Sequence, residues 1–165
     1  MTLANRVTLL RLVLIPLCLI LLLLGFYGLS AAIFLLLSFS DALDGYLARK
    51  YHEVSELGKM LDPLVDKILV ITVLIGLVGL GKANVVAVML ICTREFLVAS
   101  FRSKKNFAAS PIAKWKTFVQ IVAVIMLMLN LNFANQVLWL AVILSLISGG
   151  VYLWQSPFLK QLKLS

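Results

Sequence analysis

Apolar residues run along this chain in six long blocks, each about the 20 residues that an α-helix needs to cross a bilayer. They fall at approximately 7 to 27, 29 to 50, 56 to 80, 83 to 103, 112 to 131 and 134 to 154 on that length criterion. Turn-forming residues separate them: Gly25 and Gly28, His52 to Ser55, Gly79 to Ala83, Lys104 to Pro111, and Asn130 to Asn135. The pattern predicts an all-α, polytopic membrane protein of six transmembrane helices, with 1–165 as a single domain. No internal repeat, low-complexity tract or long linker interrupts it.

Six spans return the chain to the side on which it started, so the basic residues test the count. Lys and Arg collect on the cytoplasmic side of membrane proteins. Here every one of them falls toward one side except Lys82. Both termini are therefore expected in the cytoplasm, with the protein in the cell membrane. The first block follows Arg6 and Arg11, as a secretory leader would, but is expected to be retained as the first span. Tyr27, Trp115, Trp139, Tyr152 and Trp154 fall near block ends, where aromatic rings anchor at the interface. After Pro157 the amphipathic stretch from Phe158 to Leu164 reads as a short surface helix.

Composition agrees with lipid as the solvent: 62% of residues are hydrophobic and 13% charged, and the mean hydropathy is +1.07. That leaves too little polar surface for a water-soluble globule. The net charge of +8 reports topology in such a chain, and nothing points to a nucleic-acid partner. Cys18 and Cys92 lie inside apolar blocks and read as small hydrophobes, without disulfide or redox chemistry.

Against this background four acids stand out. Asp41, Asp44, Asp62 and Asp66 lie in apolar blocks, where an ionised carboxylate is costly and marks a functional site by default. At about 100° per residue, Asp41, Asp44, Gly45 and Ala48 share one helix face. Gly58, Asp62 and Asp66 follow at i, i+4 and i+8 on the next helix. Two adjacent antiparallel helices could thus pool four carboxylates, which would repel and protonate unless cations neutralised them. Oxygen-only ligands select hard ions such as Mg²⁺ or Mn²⁺, and a pair of such ions commonly clamps a pyrophosphate during phosphoryl transfer. Gly45, Ala48 and Gly58 leave clearance for a nucleotide at the backbone. Two other readings compete: structural pairing of the acids with Arg49, Lys59 and Lys67, and a divalent-metal transporter with a carboxylate-lined path. The acids fall near the cytoplasmic helix ends, whereas secondary transporters usually bind at the midplane, which weighs against transport.

The run from Asp41 to Asp66 reads D-x2-D-G-x2-A-R-x8-G-x3-D-x3-D. It resembles the signature of the CDP-alcohol phosphotransferases at each of its fixed positions, and six spans of this length extend the likeness to the whole chain. The resemblance implies that Asp41, Asp44, Asp62 and Asp66 hold two metal ions, Mg²⁺ or Mn²⁺. It implies that Asp44, Gly45, Ala48, Arg49 and Gly58 receive the CDP of the donor, and that Asp66 is the general base acting on the acceptor hydroxyl. It also implies a homodimer.

Further stretches resemble the family branch that joins CDP-diacylglycerol to sn-glycerol 3-phosphate: Asn5 with Thr8-Leu9-Leu10-Arg11, Leu57-Gly58-Lys59-Met60-Leu61-Asp62-Pro63, Thr93-Arg94-Glu95-Phe96 and Lys114-Trp115-Lys116-Thr117. An anionic phosphomonoester needs cations near the metals, and Arg94, Arg102, Lys114 and Lys116 fall at the cytoplasmic ends of two neighbouring spans. They are the candidate acceptor-phosphate residues. Positive-inside topology and attraction to anionic head groups offer the plainer account of the same charges, and Lys116 could snorkel beside Trp115. Relatives using inositol phosphate, serine or phosphatidylglycerol share the signature, so acceptor choice rests on these weaker matches. His52, the only histidine, reads as a solvated loop residue.

Overall fold

The computed structural model describes residues 3–50, 56–102 and 111–154, and the side-chain environments of 10–40, 64–100 and 115–150. Among the described residues all regular structure is α-helical, in six helices: α1 (Leu3–Leu23), α2 (Tyr27–Lys50), α3 (Glu56–Gly79), α4 (Val85–Arg102), α5 (Pro111–Met128) and α6 (Ala134–Trp154). Each expected block is one helix. The stretch from Phe158 to Leu164, expected as a surface helix, lies outside the described residues, as does His52.

Three helices stop earlier than hydropathy alone suggests, for a shared reason. After α1, Gly25 adopts φ 86, the Phe26 N–H donates to the Leu21 carbonyl at 2.9 Å and the Gly25 N–H to Leu22 at 3.1 Å. That is a Schellman closure, which satisfies the orphan carbonyls of the last turn. Gly81 (φ 69) repeats it after α3, with Lys82 N–H donating to Leu77, and Asn130 (φ 54) repeats it after α5, with Leu131 N–H donating to Met126. Asn130 is why α5 ends at Met128 although apolar residues continue. Asn84 then opens α4, its Oδ1 accepting from the Ala87 N–H at 3.2 Å as an N-cap.

Helix α3 packs against α1, α2, α4 and α5, while α6 lies along α5 and α4. The α1–α3 approach is close at Gly76, where a Cβ would stand 2.5 Å from the Leu19 Cδ1. Leu22, Phe34, Leu69, Leu74, Leu77, Val124 and Leu138 form a fully buried apolar centre. Polar side chains are buried with it: Arg11, Arg94, Glu95, Lys116, Gln120, Ser145 and Ser148. Large apolar side chains such as Val13, Leu36, Ile75, Met89, Phe118 and Ile143 face outward. Counted over the described residues, no helix is long and apolar enough to cross a membrane.

Candidate active site

The two ends of the bundle are distinguishable by their contacts. At one end the Lys82 ammonium sits 3.2 Å from the centroid of the Tyr27 ring and donates to the Met128 carbonyl at 3.3 Å. The Asn135 amide donates to the Lys82 carbonyl at 3.4 Å and accepts from the Asn84 N–H at 3.3 Å. These bonds join the start of α2, the end of α3, the start of α4, the end of α5 and the start of α6. The second half of α2 and the first half of α3 therefore point to the opposite end. All four motif aspartates belong to those halves. Asp66 is half-buried on α3. The side-chain surroundings of Asp41, Asp44, Gly45, Ala48, Arg49, Gly58 and Asp62 lie outside the described residues, as do those of Arg102 and Lys114. Among the described residues no group of three or more acids, His or Cys forms a metal cage.

Next to Asp66 along α3 stands Lys67, and it leads to a second constellation. The Lys67 Nζ lies 3.8 Å from the Glu95 Oε2. The other oxygen of Glu95 accepts from Arg94 Nη1 at 2.9 Å and from the Lys116 ammonium. Arg94 Nη2 donates to the Ser148 Oγ of α6 at 2.9 Å. Four helices thus meet in one charged cluster, with Arg94 (8% exposed), Glu95 (6%) and Lys116 (6%) buried and Lys67 half-buried at its edge.

Of the four acceptor-phosphate candidates, Arg94 and Lys116 converge on one carboxylate. The snorkelling alternative for Lys116 is corrected: its ammonium turns inward, and Trp115 beside it is the exposed residue, because consecutive helical positions diverge by about 100°. Lys67, a possible partner of the motif acids by sequence, has Glu95 as its described ion-pair partner. Ser148 and Gly149 escaped notice, since small residues in an apolar helix carry no signal of their own. Glu95 carried one: it is the only acid outside 41–66.

Among the ion pairs of the described residues three cations face the one carboxylate of Glu95, leaving a surplus of two positive charges there. A surplus of charge away from bulk water is costly and attracts an anion. The Arg94 Nε is buried with no hydrogen-bond partner among the described residues, as is the Ser145 Oγ. A largely buried cationic cluster, joined through Lys67 to the helix that carries the last two motif aspartates, suits the handling of phosphorylated groups.

Comparison with known proteins places this architecture. The family model described as CDP-alcohol phosphatidyltransferase matches residues 1–147, and the chain belongs to that family. A CDP-diacylglycerol–glycerol-3-phosphate 3-phosphatidyltransferase of Rickettsia bellii is 39% identical, over 75% of this chain and 76% of its own length. The Bacillus subtilis protein of the same name is 36% identical over 91% and 92%. A probable phosphatidylglycerophosphate synthase of Mycobacterium tuberculosis is 39% identical over 91% and 79%.

Proposed function

We propose that this protein transfers the phosphatidyl group of CDP-diacylglycerol to sn-glycerol 3-phosphate, forming phosphatidylglycerophosphate and CMP in phospholipid synthesis. The observation that carries the acceptor is the gathering of half-buried Lys67 and buried Arg94 and Lys116 around Glu95, with its surplus positive charge among the described residues. The similar proteins bearing this activity in their names support the same reaction. Membership of the family favours nucleotide chemistry over the divalent-metal transporter.

Asp41, Asp44, Asp62 and Asp66 would hold two Mg²⁺ or Mn²⁺ ions, a donor set of carboxylate oxygens being suited to hard cations. Once bound, such ions supply Lewis-acid stabilisation of charge on the pyrophosphate. Gly45, Ala48 and Gly58 give the CDP room at the backbone, with Asp44 and Arg49 as its polar partners. Arg94 and Lys116, joined by Arg102 and Lys114, receive the phosphate of glycerol 3-phosphate and so orient its free hydroxyl. Asp66 accepts the proton of that hydroxyl. The oxygen forms its bond to the lipid-bearing phosphorus, the bond from that phosphorus to the bridging oxygen breaks, and CMP leaves with the electron pair.

The reading includes a six-span protein in the cell membrane, its active end toward the cytoplasm, working as a homodimer. Outward-facing Leu, Ile, Val and Phe over buried Arg, Glu and Lys support lipid as the solvent. Lys82 alone at the turn end, against the basic active end, supports the orientation. The homodimer rests on the family resemblance.

Purified protein with Mg²⁺ or Mn²⁺ and CDP-diacylglycerol should release CMP when given glycerol 3-phosphate. Serine, inositol phosphate and phosphatidylglycerol in parallel reactions should release far less. CMP release with none of the four acceptors would refute the proposal, and a preference for another of them would replace the acceptor.

A further inference from the structure

We infer that Glu95, Ser148 and Gly149 form a clamp that positions Arg94 and Lys116 for the acceptor's phosphate, and so favour a phosphorylated alcohol over an uncharged one. The inference rests on the acceptor site proposed above. It assigns that site a supporting set of residues, two of them from α6.

Arg94 is held at three points. Its Nη1 donates to Glu95 Oε1 and its Nη2 to Ser148 Oγ, both at 2.9 Å. Its stem runs over Gly149 so closely that a Cβ there would meet Cγ and Nε, each at 3.1 Å. With both guanidinium branches tied, the stem cannot swing aside freely, so Gly149 sets the height of Arg94 above α6. Lys116 shares the same Glu95 oxygen.

The charge arithmetic separates a clamp from an ordinary internal ion pair. A structural pair would balance, one charge against one, whereas here, among the described residues, Lys67, Arg94 and Lys116 surround the single carboxylate of Glu95. Three cations left without Glu95 would repel and drift apart. With Glu95 they stay together and retain a surplus of two, which matches a phosphomonoester carrying about −1.5 to −2 at neutral pH. Donors also remain. A guanidinium has five N–H groups and an ammonium three, more than the bonds to Glu95 and Ser148 use. Serine, a zwitterion of zero net charge, would leave the surplus in place.

The test is steady-state CMP release by the purified full-length protein in detergent micelles, varying glycerol 3-phosphate and CDP-diacylglycerol in turn. Because a hydrogen bond to a charged group contributes roughly 1.5–3 kcal/mol, Glu95→Gln should raise the KM for glycerol 3-phosphate about tenfold or more. Ser148→Ala and Gly149→Ala, which leave the ion pairs in place, should raise it several-fold. The KM for the lipid donor should stay within about twofold throughout, and Glu95→Asp should recover part of the loss. Should Glu95→Gln fail to fold, Ser148→Ala and Gly149→Ala carry the test alone. Equal increases in both KM values, or no change in either, would overturn the clamp. Arg94→Ala and Lys116→Ala distinguish the two levels. If these leave the KM for glycerol 3-phosphate unchanged, the acceptor site itself is refuted; if they raise it and no clamp variant does, only the clamp is.

Discussion

A base and a metal ligand can be the same carboxylate, and the base role proposed for Asp66 is tested by removing its charge alone. Asp66→Asn keeps the size of the side chain and forfeits the proton-accepting oxygen. General-base catalysis typically contributes a factor of about 10² to 10⁴, so CMP release should fall by at least that range. Donor binding, read from the stabilisation of the protein by CDP-diacylglycerol against heat, should largely survive. Full activity in Asp66→Asn would remove the base from this position. At this scale the sequence is most legible for acids, because an Asp in an apolar block has no cheap explanation. It is less legible for cations, because Arg94 and Lys116 also satisfy the rule for topology. Burial separates the two accounts, and burial belongs to the neighbours.

Among the elements, the turns Leu24 to Phe26, Leu80 to Asn84 and Leu129 to Phe133 do the work of alignment. Each closes its helix with a residue at positive φ, so that the next helix returns antiparallel and brings the active ends together. Gly81 shows what this requires. A Cβ would meet nothing within 4 Å there, but the backbone stands at φ 69. Gly81→Ala should therefore cost only the left-handed penalty, about 1–2 kcal/mol. It should appear as a lower unfolding midpoint in detergent with unchanged KM values, since the turn lies at the end away from the acids. A changed KM for either substrate would mean that the turn sets the site's geometry. Helix existence was readable from block length; helix ends were not, because the decision at Asn130 belongs to backbone hydrogen bonding rather than to hydropathy.

For the molecule as a whole, the inverted distribution of polar and apolar side chains makes two expectations testable. Asn132, exposed in the α5–α6 turn, should lie outside the cell if the basic end faces the cytoplasm. In a background with Cys18 and Cys92 replaced by Ser, Asn132→Cys should react with a membrane-impermeant maleimide on intact cells. Labelling only after lysis would reverse the orientation. Chelation of divalent ions should abolish CMP release, and Mg²⁺ or Mn²⁺ should restore it. Activity that survives thorough chelation would refute the metal role of the four aspartates.

What this sequence settled by itself is whatever depends on spacing along one chain. Six apolar blocks made six helices, and D-x2-D-G-x2-A-R-x8-G-x3-D-x3-D assigned the family, because signature and periodicity are local and survive any packing of the helices. Only the tertiary structure decided what lies across from the acids. Glu95 of α4 gathers Lys67 of α3 and Lys116 of α5, and Ser148 and Gly149 of α6 seat Arg94. The hydrogen bond between Arg94 and Ser148 alone spans 54 positions in sequence. No periodicity relates them, and they meet because packing leaves the buried cations few places to find a counter-charge.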